Sequence, residues 1–230
     1  MGKPESRGRL DPACIPPSPN ISFEQALWQA GISWVAGIDE AGRGALAGPV
    51  AAAAVVFPAD TGLLICLDGV RDSKQMTPAQ RQHWADPIRM KALAWGLGMA
   101  SAQEIDELGI LPATRLATQR ALEALPSLPG HLLLDYLFLP ESPVPQTALI
   151  KGDRRSLSIA AASILAKTAR DELMIALDQQ YPGYGFAFHK GYGTRIHRQA
   201  IEYLGVSPVH RLTFRPVSEW QADGSKANRA

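Results

Sequence analysis

Two adjacent carboxylates, Asp39 and Glu40, stand at the end of an apolar run that begins at Trp34. The length and composition of this run are typical of a buried β-strand. Burial of an unpaired, ionised carboxylate in such a setting costs several kcal/mol of free energy unless a cation or hydrogen bonds compensate for it. We therefore expect a positively charged partner at this end of the strand.

A glycine-rich turn follows the two acids. Gly42, Gly44 and Gly48 have no side chain, so the backbone between them can adopt conformations closed to other residues and can approach a ligand closely. Arg43 lies between two of these glycines and suits an anionic oxygen. The alternative interpretation is a plain hairpin whose turn needs glycine.

The same turn has some likeness to a dinucleotide-binding loop, which requires a helix directly after its glycines. Here Pro49 and the short apolar run AAAAVVF follow Gly48, and Pro58 ends that run. Its length and its β-branched residues indicate a strand. The dinucleotide interpretation therefore lacks its helix and is kept only as an alternative.

Two further carboxylates stand where packing alone would not favour them. Asp135 lies within the apolar run HLLLDYLFL, and Asp171 lies on a long predicted helix. With Asp39 and Glu40 they predict one anionic cluster. Carboxylates without cysteine or an HxxxH pattern are typical ligands of a hard cation such as Mg²⁺ or Mn²⁺. Two such ions close together can activate a water and stabilise the leaving oxygen of a phosphodiester.

Each acid also has a purely structural interpretation. Asp171 could pair with Lys167, which lies one helical turn before it. Asp135 could be a strand-end acid that is bonded to backbone amides. Glu40 can reach the same metals as Asp39 only if the strand ends or bends there, because successive strand residues point to opposite faces.

The composition limits the class of protein. The chain has 230 residues, of which 46% are hydrophobic and 20% charged, and this fits one globular domain of a soluble enzyme. Because the formal net charge is +1, affinity for nucleic acid would have to come from local patches. The two cysteines, Cys14 and Cys66, argue against a disulfide framework or a cysteine zinc site. With no membrane-length apolar run and no secretory signal, we expect a cytoplasmic protein.

The hydrophobic pattern predicts the scaffold that positions the acids. A flexible tail (1–20) precedes a single domain (21–217), and a polar tail (218–230) follows it. Thr77-Pro78 and the pair Ser101 and Glu104 are typical helix starts. Loops are predicted at 60–74 and 181–194. The predicted helices cover 22–30, 77–91, a short segment up to 109, 112–125, 156–180 and 194–204, and the predicted strands cover 34–40, 51–57, 92–99, 131–139 and 147–152.

Five segments in order along the chain resemble ribonuclease HII, the type 2 ribonuclease H family. They are GIDEAGRG (37–44), DSK (72–74), LLLD (132–135), KGDRRSLSIAAASILAKTARD (151–171), and GYGFAFHKGYGT (183–194) with SPVHR (207–211). They span nearly the whole chain between the predicted tails, so the match is specific. The resemblance implies an α/β ribonuclease H-like fold, in which helices flank a central mixed sheet of five strands and additional helices lie at the C-terminus.

The resemblance also implies an activity. The family cuts RNA within RNA/DNA hybrids and cuts on the 5′ side of a single ribonucleotide in duplex DNA, leaving 3′-hydroxyl and 5′-phosphate ends. The implied role is removal of misincorporated ribonucleotides and primer remnants during DNA repair and replication. The expected protein is a monomer that binds two Mg²⁺ or Mn²⁺ ions. The metal-binding acids of the family match Asp39, Glu40, Asp135 and Asp171.

The resemblance further implies a set of substrate contacts. Gly42, Arg43 and Gly44 match the element that contacts the ribose 2′-hydroxyl, the group that distinguishes RNA from DNA. Tyr192 matches the loop tyrosine whose ring lies against the sugar, and its alternative role is to close the loop. The predicted phosphate contacts are Lys74, Lys167, Lys190 and Arg211.

Three further points bear on this interpretation. Tyr136 follows Asp135 where the family commonly has a small residue, so the geometry around that carboxylate could differ. His189, His197 and His210 suggest a histidine-based ribonuclease as an alternative, but that chemistry would leave the carboxylates unexplained. The alternative from another class is a non-catalytic nucleic-acid-binding module on the same fold, which would not need all four acids.

Overall fold

Five strands form one mixed sheet at the centre of the molecule, and the computed structural model describes residues 15–222. The strands are β1 (Val35–Ala41), β2 (Val50–Val56), β3 (Ala94–Ala100), β4 (His131–Asp135) and β5 (Gln146–Leu149). They lie in the order β3-β2-β1-β4-β5. The β1/β2 and β2/β3 pairs are antiparallel, whereas the β1/β4 and β4/β5 pairs are parallel. The predicted fold class is confirmed.

Helices flank the sheet, and their N-terminal caps follow the sequence signals. Ser101 forms the predicted capping box with Glu104, and Thr77 is the predicted N-cap and also forms a capping box with Gln80. Short 3-10 helices cover Ser73–Gln75 and Gly152–Arg154. The α-helices are α1 (Ser22–Gln29), α2 (Leu63–Cys66), α3 (Pro78–Lys91), α4 (Ala102–Leu108), α5 (Ile110–Glu123), α6 (Leu157–Gln180), α7 (Phe186–His189), α8 (Arg195–Leu204) and α9 (Val217–Ala222).

Small residues let the two main helices approach the sheet closely. β2 is buried along its whole length and contains only alanine and valine. On the α5 side, a methyl group added to Gly98 would lie 2.1 Å from the carbonyl oxygen of Ala117. On the α6 side, a methyl group added to Gly37 would lie 2.3 Å from the backbone of Ser158. α5 and α6 therefore cross the sheet where the strands carry no side chain.

The predicted strand over 131–139 is wrong beyond Asp135. Tyr136 adopts a φ of 55° and turns the chain, so Asp135 is the last residue of β4 instead of lying in its middle. The Tyr136 side chain is 61% exposed. Two predicted loops also contain short helices: α2 lies within 60–74, where a 3-10 helix begins at Ser73, and α7 lies within 181–194.

The proposed tails meet the described residues only at their inner ends. Asn20 forms a β-bridge with Ser156, in which its backbone bonds those of Arg155 and Leu157. The predicted N-terminal tail is therefore bound to the domain at this residue. The predicted C-terminal tail begins inside α9. Residues 1–14, including Cys14, and residues 223–230 lie outside the described residues, and the division into one domain and two tails stays a prediction. Within 15–222, no helix is long and apolar enough to span a membrane.

The close crossing at Gly37 leads to a stability prediction. Gly37→Ala should lower the free energy of unfolding by about 1–3 kcal/mol, because the new methyl group overlaps the backbone of α6. Urea denaturation of the purified protein measures this change. Gly44→Ala is the matched control, since no atom lies within 4 Å of the added methyl group there. An equal loss in both variants would contradict the packing argument.

Candidate active site

The parallel pairing of β1 with β4 brings two of the predicted acids together. Ile38 lies opposite Leu134 in this register, so the next residue of each strand, Asp39 and Asp135, emerges at the same edge of the sheet. Ile38 and Leu134 belong to the core cluster on the α5 side. Because strand residues alternate, both carboxylates point toward the face that α6 covers.

A third carboxylate, Asp153, completes this acid group. It lies on the 3-10 helix between β5 and α6, where the Gly152 N–H donates to Oδ1 of Asp135 at 2.7 Å. One carboxylate oxygen from each of Asp39, Asp135 and Asp153 lies within 4.8 Å of the others. These three residues, called the acid group below, are arranged so that they could hold a metal ion.

Sequence reasoning missed Asp153, although a signal for it was present. The residue stands among Lys151, Arg154 and Arg155, so the segment has the composition of a basic surface turn. However, it follows the end of β5, which is parallel to β4, and the carboxyl ends of parallel strands meet at the same edge of a sheet. Knowledge of that pairing would have placed Asp153 beside Asp135.

Asp171, predicted as a metal ligand, does not join the acid group in the structure. Its Oδ1 accepts a hydrogen bond from the Lys167 ammonium at 2.6 Å, and its Oδ2 accepts one from the Arg81 guanidinium at 3.0 Å. Asp171 is 9% exposed. Both of its oxygens are therefore already engaged by cations of the protein, as the structural interpretation with Lys167 predicted in part.

Glu40 lies at the margin of the acid group. β1 continues through Ala41, so Glu40 points away from the face that Asp39 occupies. Its Oε1 accepts a hydrogen bond from Arg43 at 3.0 Å. The negative charge of Glu40 is close enough to contribute to the raised pKa of Asp39, after the larger effect of burial.

The electrostatics of the acid group favour a bound cation. Burial raises the pKa of Asp39 well above its usual value, and the charges of Glu40, Asp135 and Asp153 raise it further. Burial is also the main reason that the pKa values of Asp135 and Asp153 rise to about 6. A set of oxygen donors this crowded fits a hard divalent ion, which would relieve the repulsion.

Lys74 is the neighbouring cation that the sequence placed at this site. Its ammonium lies 3.4 Å from Oδ2 of Asp153, while its side chain remains 71% exposed. Partial burial lowers the pKa of Lys74, but the fields of Asp39, Asp153 and other carboxylates outweigh this effect and raise it overall. Lys74 therefore stays charged and can meet an anionic ligand from the solvent side.

The glycines of the turn after β1 have different roles. Gly42 has a φ of 93°, and a methyl group there would lie 1.9 Å from Nε of Arg170. Its freedom therefore serves packing against Arg170. At Gly44, by contrast, an added methyl group would meet no atom within 4 Å. Gly44 is thus the glycine that leaves room for a ligand, next to the half-exposed side chain of Arg43.

Arg211 was predicted to contact a phosphate, but its guanidinium instead bonds the backbone of the glycine turn. The residue is fully buried. Its Nη1 donates to the carbonyl of Arg43 at 2.8 Å, its Nη2 to Gly42 at 2.7 Å and its Nε to Gly48 at 3.0 Å. Arg211 therefore fixes the backbone on both sides of the arginine predicted to contact the substrate.

The loop that carries Tyr192 is joined to the same turn. The Leu46 N–H donates to the Gly191 carbonyl at 2.8 Å. Arg170 donates to the carbonyls of Lys190 and Ala47, at 3.0 and 3.1 Å. A single buried guanidinium therefore ties the tyrosine loop to the glycine turn.

The Tyr192 ring lies over two cations and keeps an exposed portion. The Arg170 Cζ and the Lys167 Nζ are each 5.5 Å from the ring centroid, and Tyr192 is 36% exposed. The Lys167 ammonium is also paired with Asp171, and the Lys190 ammonium donates to the carbonyl of Ala187. These two lysines are thus engaged within the protein.

Two of the histidines support the tyrosine loop from inside. His197 and His210 are buried and lie with their Nε2 atoms 3.1 Å apart. Nδ1 of His197 is 3.0 Å from the carbonyl oxygen of Tyr192. Burial is the main reason that the pKa values of both rings fall to about 4. Their partners are therefore internal, which argues against a histidine-based ribonuclease.

An apolar groove lies elsewhere, between α5 and the segment after β4. It encloses about 610 Å³ and is lined by residues such as Leu116, Leu128 and Pro140. None of the residues predicted for the site lines it, and its two acids, Glu123 and Glu141, do not belong to the acid group. The chemistry belongs to the acid group and not to this groove.

The ribonuclease H-like sheet and the acid group at its edge define the chain as a metal-dependent endoribonuclease of the ribonuclease H type. The family model for ribonuclease HII matches residues 36–217. The chain therefore belongs to the ribonuclease HII family.

Individual relatives agree with this assignment. The chain is 56% identical to ribonuclease HII of Synechococcus sp. (strain JA-3-3Ab), over 89% of this chain and 91% of the relative. It is 54% identical to ribonuclease HII of Chloroflexus aurantiacus, over 87% and 95% of the two chains. The crystal structure of ribonuclease H2 from Pyrococcus horikoshii OT3 is similar, with a TM-score of 0.67 at 26% identity, and the match covers 82% of this chain and 97% of that one.

The buried histidines predict a loss of stability in acid. Because the pKa of each ring is about 4 in the folded protein and about 6.5 when unfolded, the unfolded chain binds more protons between these values. These two histidines should therefore lower the free energy of unfolding as the pH drops from about 6.5 toward about 4, whereas Asp135 and Asp153, with raised pKa values of about 6, act in the opposite direction over part of this range. Urea denaturation across this range should show that the double variant His197→Gln/His210→Gln loses less stability on acidification than the wild type does. His83→Gln, on the surface, is the control, and an unchanged slope in the double variant would contradict the prediction.

From the crowding in the acid group we expect Asp153 to favour metal binding and to lower the stability of the metal-free protein. Asp153→Asn should weaken Mn²⁺ binding by at least about 10-fold, since loss of even an outer-shell partner of a metal ligand costs about 10- to 100-fold. It should also raise the melting temperature of the metal-free protein, because one of several crowded negative charges is removed. Titration calorimetry and thermal denaturation measure the two effects. Asp68→Asn, at an exposed position, should change neither, and full Mn²⁺ affinity in Asp153→Asn would remove this residue from the site.

Proposed function

We propose that this enzyme hydrolyses the RNA strand of RNA/DNA hybrids and cuts on the 5′ side of a single ribonucleotide in duplex DNA, leaving 3′-hydroxyl and 5′-phosphate ends. The observation that carries the proposal is the convergence of Asp39, Asp135 and Asp153 at the strand edge from which the open glycine turn departs. A nuclease that selects ribonucleotides needs both a cation site and a place where a 2′-hydroxyl can be sensed. This edge of the sheet offers both.

The proposed metal ligands are Asp39, Asp135 and Asp153, with Glu40 at the margin, and the proposed ions are two Mg²⁺ or Mn²⁺. When bound, such ions supply an activated water and stabilise the charge on the leaving oxygen. The Gly152 N–H holds Oδ1 of Asp135 in place. The three acids therefore present their oxygens without a large rearrangement.

The proposed substrate contacts lie around the acid group. Lys74 is charged and largely exposed beside Asp153, so it can bind a phosphate next to the scissile bond. Gly44 leaves space for the sugar, and Arg43 is held by Glu40 at the mouth of this space. Tyr192, which lies over two cations, offers the exposed part of its ring to the sugar.

Lys167 receives a different role from the one predicted. Its ammonium is bonded to Asp171 and lies near the Tyr192 ring, and its side chain is only 17% exposed. It supports the tyrosine and is not proposed as a direct phosphate contact. The protein is proposed to act as a monomer, since all three residues of the acid group come from one chain. Removal of misincorporated ribonucleotides is the proposed role, and the cytoplasmic location stays a prediction.

A cleavage assay tests the proposal directly. The protein is incubated with a DNA duplex that holds one ribonucleotide, and with the same duplex made entirely of deoxynucleotides, in Mg²⁺ or Mn²⁺ and then with a chelator. We expect one cut, on the 5′ side of the ribonucleotide, only with metal. Asp39→Asn should lower the rate by about 100-fold or more, because it removes a proposed ligand, while Asp68→Asn should keep the full rate.

The result also separates the enzyme from its rival. If the ribonucleotide duplex stays intact with both metals but still binds in a gel-shift assay, the non-catalytic binding module becomes the better interpretation. Equal cutting of the all-DNA duplex would instead refute selectivity for ribonucleotides.

A further inference from the structure

Asp171 is held firmly, but by protein groups outside the acid group. It accepts hydrogen bonds from Lys167 at Oδ1 and from Arg81 at Oδ2. Arg81 belongs to α3 and is 8% exposed, so the pair is removed from solvent. The carboxylate of Asp171 compensates for part of the hydration that this buried guanidinium loses.

The same guanidinium also bonds the backbone of the turn 72–76. Nη1 of Arg81 donates to the carbonyls of Ser73, at 3.1 Å, and Met76, at 2.6 Å. These carbonyls lie toward the two ends of the turn 72–76. From the other side, the Ser73 N–H donates to Oγ of Ser163 on α6 at 3.1 Å. Arg81 and Ser163 therefore hold the backbone of this turn between α3 and α6.

The turn carries Lys74. Its backbone N–H donates to Oδ1 of Asp72 at 2.9 Å, which fixes the start of the 3-10 helix. Its side chain then extends to Asp153, 3.4 Å from the ammonium. A continuous series of contacts thus leads from Asp171 through Arg81 and the turn backbone to Lys74 and the acid group.

We propose that Asp171 is a positioning residue for catalysis: by orienting Arg81 it fixes the turn 72–76, so that the Lys74 ammonium lies where the acid group and a substrate phosphate meet. The inference rests on the proposed function for the role of Lys74. It explains why a nearly buried carboxylate stands at this point of α6 without contributing to the acid group. In this arrangement Asp171 acts on the reaction only through Arg81 and Lys74.

Two measurements that need no activity test the contacts. In Asp171→Asn, hydrogen exchange of the amides in 72–76 should become at least about tenfold faster, because Arg81 loses its charged partner. Mn²⁺ affinity, measured by calorimetry, should stay within about twofold of the wild type. Asp153→Asn is the matched comparison and should show the reverse, with slow exchange in the turn and weakened Mn²⁺ binding.

A double-mutant cycle then tests the route to the reaction. Rates are measured for the wild type, Asp171→Asn, Lys74→Ala and the combined variant. Each single change should lower kcat by about tenfold, since misplacement by about 1 Å can cost up to 10²-fold. The combined variant should be no slower than Lys74→Ala alone, because both changes remove the same contribution.

Each outcome decides the question. Multiplicative losses in the cycle, or Mn²⁺ affinity that falls in Asp171→Asn as far as in Asp153→Asn, would overturn the positioning role. If Asp171→Asn does not fold, Arg81→Lys keeps the charge opposite Asp171 but removes the grip on Ser73 and Met76, and the same exchange and rate effects are expected. If the wild type cuts no ribonucleotide duplex, the proposed function fails, whereas the exchange and Mn²⁺ results still decide what Asp171 does.

Discussion

Mutual repulsion among buried carboxylates is the constraint on which the rest of the structure depends. The β1/β4 register delivers Asp39 and Asp135 to one edge, and the turn before α6 adds Asp153. In water such a group would spread apart, but here a buried sheet holds it together. Its cost is met locally by a backbone amide at Asp135 and by Lys74 at Asp153. A bound divalent ion would neutralise the remaining negative charge.

A layer of buried guanidiniums forms the counterpart of this acid edge. Arg81, Arg170 and Arg211 all donate to main-chain carbonyls of the turns around the site. Guanidinium groups suit this task because their planar fork presents several donors in fixed directions. The segments that would meet a substrate are therefore irregular in backbone shape but fixed in position. Glycines can therefore leave space for a ligand while the backbone around them keeps a fixed position.

Elements with local signals could be predicted from the sequence, whereas residues with distant partners could not. β1 and β2 follow from continuous apolar runs, and the caps at Thr77 and Ser101 follow from short-range hydrogen bonds. Arg211 has the sequence character of a surface charge, since arginine is mostly exposed, yet its acceptors lie 163 to 169 positions earlier in the chain. For a similar reason Asp171 was predicted as a metal ligand and Asp153 was missed. Only the strand pairing shows which of the two acids reaches the edge of the sheet.

The late position of the two central arginines has a consequence for synthesis of the protein. Every strand of the sheet precedes residue 150, so the scaffold emerges from the ribosome before Arg170 and well before Arg211. Until those residues arrive, the carbonyls of Gly42, Arg43, Ala47 and Gly48 lack the side-chain donors that set their directions. Domains fold as units once their segments are available. The glycine turn can therefore reach its final shape only after Arg211 has been synthesised, although every strand is complete before that point.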